Sequence, residues 1–127
     1  MSLEQTIHTR WASDGGLTAL VPADRFVTGQ ALGGLALPYA TLTRVAQPRI
    51  TRTSSRSVAH VGVRFEVFSA ALDTVRQTAD AIRACFDRQT LGGGATVLRM
   101  RREDDRQEQA DDGTWRLSLV YAAHVEE

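Results

Sequence analysis

The eleven residues VAHVGVRFEVF, 58–68, constrain this chain more than any others. Val61, Val63, Phe65 and Val67 alternate with His60, Gly62, Arg64 and Glu66. A period of two places the apolar set on one face of a strand and the polar set on the other. The stretch that follows, ALDTVRQTADAIRACFD, changes period: Leu72, Val75, Ala79, Ile82 and Phe86 recur at intervals of three and four. This predicts a helix over about 70–88, with Ser69 as its N-cap and Asp73, Arg76, Asp80, Arg83 and Asp87 on its outer surface. Neither element can bury its apolar side alone, so the pair implies a helix layer on a sheet. With 127 residues the chain forms one domain, 1–127, since two cores would not fit.

The remaining segments fill in that plan. Leu3, Ile7 and Trp11 lie at helical spacing, with Ser2 and Gln5 in capping-box positions, which predicts a helix near 2–12. SDGG, 13–16, is expected to close it through left-handed glycines. LTALV is a short apolar piece, and RFVTG a small strand or extended connection. LPYATLTRVAQP reads as a strand from Pro38 to Pro48, with Tyr39, Thr41 and Thr43 opposite Ala40, Leu42 and Arg44. Two strands close the chain, near 95–102 and 114–123, the second with Trp115, Leu117, Leu119 and Tyr121 facing the core. EDDRQEQADDG, 103–113, is expected to be the polar turn between them. The predicted class is α+β: a small, mainly antiparallel sheet of about four strands with two helices packed on it.

No motif for catalysis emerges. His8, His60 and His124 are far apart, and Cys85 is the only cysteine, so no zinc spacing exists. Cys85 falls in the helical stripe and reads as a buried structural thiol. There is no G-x-S-x-G, and the glycine groups at 29–34 and 91–95 lack a following Lys-Ser/Thr, which makes them turns and not phosphate cradles. The acids of 103–112 do not keep calcium-loop register. His60, Arg64 and Glu66 share a strand face and could form a site, but polar alternation is also what any solvent-facing strand displays. Catalytic, cofactor and metal residues are therefore expected to be none. The N-terminus lacks a secretory pattern, and no apolar run approaches the ~20 residues of a membrane span. A cytoplasmic protein with no membrane partner is expected.

The chain is neutral, yet its charges are segregated. From Arg25 to Phe65 there are six arginines and no acid, whereas Glu103 to Asp112 holds six acids and one arginine. Within the first region, PRITRTSSRS combines Arg49, Arg52 and Arg56 with five hydroxyl side chains. It can be an ordinary loop, a phosphate-facing arm, or a segment that docks on acid of a neighbouring subunit. It contains no aromatic residue to stack a base, so sequence-specific nucleic-acid reading is not expected.

The order of segments resembles the tail-completion, or tail-terminator, family of tailed bacteriophages, prophages and gene transfer agents. The similar features are the N-terminal helix, L-x-A-L-V at 17–21, LPYATL at 37–42, VGVRFEVFS at 61–69, the helix at 71–87 and WRLSLVYAAHV at 115–125. The resemblance implies a non-enzymatic structural protein without a cofactor. It implies subunits in a ring, typically a hexamer, that caps the tail tube and joins it to the head. Its partners would be copies of itself, tail-tube proteins and head-connector proteins. Its location would be the cytoplasm during assembly and then the virion or phage-like particle. On this reading Arg49, Arg52 and Arg56 would meet Asp104, Asp105, Asp111 or Asp112 of a neighbour, or line a channel with weak, non-specific DNA contact. The alternative is a small oligomeric module that binds a ligand or peptide.

Overall fold

The computed structural model describes residues 3–29, 36–45, 49–52, 57–87 and 96–126. The alternating run becomes the spine of the sheet, β4 (Ser57–Ser69), with β6 (Trp115–Glu126) antiparallel along one side of it. The other side of β4 is shared end to end by β2 (Tyr39–Arg44) and β3 (Arg49–Arg52), both antiparallel to it. Beyond β2 lies β1 (Phe26–Thr28), parallel, and beyond β6 lies β5 (Thr96–Gln109), antiparallel. The order is β1-β2-β4-β6-β5, with β3 on β4. The class is α+β as expected, but the expectation of about four mainly antiparallel strands is too small and misses the parallel edge. Among the described residues six strands form a mixed sheet.

Helices α1 (Leu3–Ala12), α2 (Gly15–Leu20) and α3 (Leu72–Phe86) lie on one face, three among the described residues where two were expected. The core between the layers uses the residues that the periodicities select. Val61, Val63, Phe65 and Val67 meet Val75, Ala79, Ile82 and Phe86, and Leu117, Leu119 and Tyr121 complete the wall. Phe65 is its centre: its ring lies 5.0 Å from Phe86, 5.7 Å edge-on from Tyr121 and 6.0 Å from Phe26. Trp11 stacks on Phe26 at 3.9 Å, and its indole N–H donates to the Val21 carbonyl at 3.1 Å, so its one polar atom is satisfied inside. Arg44 fastens α1 to β2 from outside, donating from Nε and Nη2 to Glu4 Oε1 at 3.1 and 2.7 Å.

Three local expectations are corrected. The glycines of SDGG do not close α1 in a left-handed turn; they begin α2, and Asp14 caps that helix by accepting from Leu17 N–H at 3.0 Å. A Cβ at Gly16 would stand 3.2 Å from the capping oxygen, which is why a small residue suits this place. Ser69 is the last residue of β4 and not the N-cap of α3. Ala71 holds that position without a side-chain cap, and Ser69 Oγ accepts from its N–H at 3.2 Å. EDDRQEQ is not turn but strand: β5 runs to Gln109, and only 110–114 reverse the chain. Gly113, at φ +90°, takes the left-handed position of this turn. The Ser2 cap falls outside the described residues.

Candidate assembly surfaces

The acidic segment lies on an edge strand, so its side chains separate between the two faces of the sheet. Asp105 is opposite Leu119, on the helix side. There Arg83 Nη2 donates to Asp105 Oδ2 at 2.8 Å, its Nη1 donates to Asp80 at 2.8 Å, and Arg102 stands 3.5 Å from the same Asp105 oxygen. Arg83, Asp80 and Asp105 line a cleft of about 360 Å³ between α3 and β5, floored by Ala79 and Leu117. Asp105 is thus engaged within its own subunit. Asp104, opposite Val120, is exposed on the other face, and no ion pair holds it among the described residues. Asp111 is exposed at the hairpin turn. Asp112 accepts from Thr114 N–H at 2.9 Å, and this hydrogen bond lowers its carboxyl below the ordinary range.

The basic segment separates in the same way. Arg49 is opposite His60 and Arg52 opposite Ser57, positions of opposite parity on β4, so the register assigns them to opposite faces. Arg56 lies outside the described residues. Among those described, β3 pairs only with β4 and β5 only with β6, which leaves an open edge on each margin of the sheet. The two oppositely charged segments therefore occupy opposite margins. Arg49 and Arg52 on one margin, and Asp104 and Asp105 on the other, do not cluster, because residues one or three apart in a strand diverge.

The sheet face away from the helices carries the remaining polar side chains. Arg116 bridges Glu66, at 3.7 Å, and Glu108, to which Nη2 donates a hydrogen bond. Arg106 stands 3.9 Å from Glu108. Around them is a shallow basin of about 190 Å³, floored by Ser118 and Val120 and rimmed by Arg64 and Asp104. Toward the other end, His60 and His124 are directly opposed, with rings edge to face at 4.5 Å. This pairing escapes sequence reading because the partners are 64 positions apart; the one signal is that both fall in the polar phase of alternating runs. His60, Arg64 and Glu66 do share this face, but Glu66 is engaged by Arg116. Cys85 is buried as expected, and burial pushes its thiol up to about 11. Among the described residues no three His, Cys, Asp or Glu gather as metal ligands, and no helix is long and apolar enough to cross a membrane.

A one-sided α+β domain with charged open margins defines a protein of surfaces more than of pockets. Its family is plain: the chain belongs to the family described as tail completion protein gp17, whose model matches residues 5–126. Structural proteins of phage tails and virion assembly are what that family comprises. Among solved structures, a chain from the virion of a native gene transfer agent particle is similar, with a TM-score of 0.79 at 17% identity. The match covers 99% of this chain and 96% of that one, so the two share their fold throughout. No curated protein sequence matches.

Proposed function

We propose that this chain is a ring-forming tail-completion protein, whose copies associate head to tail, six to a ring, to cap the tail tube and join it to the head. The observation that carries the reading is the placement of a basic and an acidic segment on opposite open margins of one sheet. Cyclic association needs two different surfaces per subunit, each complementary to the other. Segregated charge on a neutral chain supplies this, and complementary charge also fixes register and speeds encounter. By register Arg49 and Arg52 fall on opposite faces of β3, so a neighbour seated on one face meets Arg52 and not both. Of the acids, Asp104 and Asp111 are the available partners, since Asp105 and Asp112 are held within the subunit.

Tail-tube and head-connector proteins are the heterologous partners in this reading, and the particle is the final location. No catalytic step and no cofactor are part of it. Native mass spectrometry and light scattering across concentration, with and without purified tail tubes, test it. A closed ring is expected, and Arg52→Glu should weaken it while leaving the thermal melt unchanged. Weakening by added salt should accompany this, because exposed ion pairs are screened. A strict monomer under both conditions would overturn the proposal.

A further inference from the structure

α3 packs on β4 and β6, and β5 projects beyond it as the edge strand. Arg76, Asp80 and Arg83 follow one another at steps of four and three, so they share the side of α3 that borders the cleft, opposite Asp105 and Gln107 of β5. The two ends of this cleft differ. At one the charge is closed: Arg83 donates to Asp80 and to Asp105, and its Nε is enclosed. At the other, Arg76 donates from Nε to Gln107 Oε1 at 3.4 Å, long for a hydrogen bond. Asp80 stands four positions from Arg76, a spacing that permits an ion pair, yet it is engaged by Arg83. Among the described residues no carboxylate pairs with Arg76. Arg106 lines both this cleft and the basin on the other face, so it stands at the open edge between them, 70% exposed and 3.9 Å from Glu108. Three guanidinium groups thus meet two carboxylates in the lining, and both carboxylates are spent on Arg83.

We infer that the Arg76 end of this cleft takes the side-chain carboxylate of a glutamate from a partner protein. Arg76 keeps both terminal nitrogens for donation, and Gln107 adds its amide N–H groups. A guanidinium fork matches the two oxygens of a carboxylate. Ala79 and Leu117, both buried, floor the cleft and offer apolar contact to the methylene stem, of which glutamate has one more carbon than aspartate. A free metabolite is the poorer occupant: sites for small molecules are concave and mostly apolar, whereas Arg76, Asp80, Asp105, Arg106 and Gln107 here are exposed and polar. A second copy is poorer too, since Glu4, Glu66 and Glu108 are held in ion pairs within their own chain. The inference does not depend on ring formation, because one subunit contains the whole site.

NMR titration of the full chain tests it, following the side-chain amide of Gln107 and the Nε–H of Arg76. The probes are an acetylated, amidated Ala-Glu-Ala-Glu-Ala peptide, its glutamine counterpart and free glutarate. Saturable shifts of both signals are expected from the glutamate peptide and not from the glutamine one, with a Kd on the order of 1 mM at low salt and weaker binding as salt rises. Arg76→Gln should weaken binding about 3- to 5-fold, the worth of one exposed ion pair. Gln107→Glu should weaken it at least as much, because it gives Arg76 a carboxylate of its own, while the thermal melt does not fall. Arg64→Gln, on the other face of the sheet, should leave binding unchanged. Equal shifts from the glutamine peptide, no saturable shift at low salt, or unchanged affinity in Gln107→Glu would overturn the inference. So would tighter binding of free glutarate than of the peptide, which would make the occupant a small acid. Loss of self-association in Arg76→Gln would overturn it as well, by assigning the cleft to the contact between copies.

Discussion

The two faces of β4 and β6 are made from the same strands, residue by alternate residue, yet they obey different rules. The inner face is fixed by volume: Phe65 packs among four other aromatic rings and has no exposed surface. The outer face is fixed by charge order, and its side chains can change without a cavity forming. Stability therefore resides on one face, while the capacity to recognise something else resides on the other.

The sharpest way to break this comparison is at neighbouring positions 64 and 65. Phe65→Ala should destabilise by about 3–5 kcal/mol, measured by denaturant unfolding, whereas Arg64→Ala should stay within about 0.5 kcal/mol. Equal losses would mean that the outer face is also structural. Asp104 and Asp105 repeat the test at smaller scale on β5. Asp105→Ala removes one of the two carboxylate partners of Arg83, the one across the α3 cleft, and should cost about 1 kcal/mol; Asp104→Ala should cost almost nothing. The smallest effect concerns His8, which lies 4.4 Å from the Phe26 ring, with Nε2 2.7 Å from Thr28 Oγ1. Burial lowers its pKa, and nearby Glu4 opposes that only partly. A depressed folded pKa means that the unfolded chain takes up the proton first. Its contribution is complete above about pH 6.5 and is lost as pH falls through the lower folded value. Melting temperatures of His8→Gln should decline less over that acid range than those of the parent chain.

What could be read in the sequence followed the burial of apolar residues. The stripes of α1, α3, β4 and β6 were all visible, because each has a period that only one geometry satisfies. The second half of β5 was not, since its inward positions are Asp105 and Gln107, satisfied by Arg83, Arg102 and Arg76 instead of by apolar neighbours. An edge strand whose partners are polar looks like a turn. α2 was hidden by its brevity and by the two glycines at its start. The parallel pairing of β1 with β2, and the alignment of Arg49 with His124, are long-range relations that no local pattern encodes. The segregation of charge was legible; the division of each charged segment between two faces needed the register.

The two irregularities in β5, at Val97/Arg99 and Arg102/Asp104, give that strand a property β4 lacks along its pairing with β6. Leu98 and Glu103 are surplus to the ladder, so excision of either would leave every other residue opposite its present neighbour. One missing residue within β4 would turn the distal part of that strand inside out. Changes of chain length in relatives have a place to accumulate harmlessly at the acidic margin, and almost none along the spine.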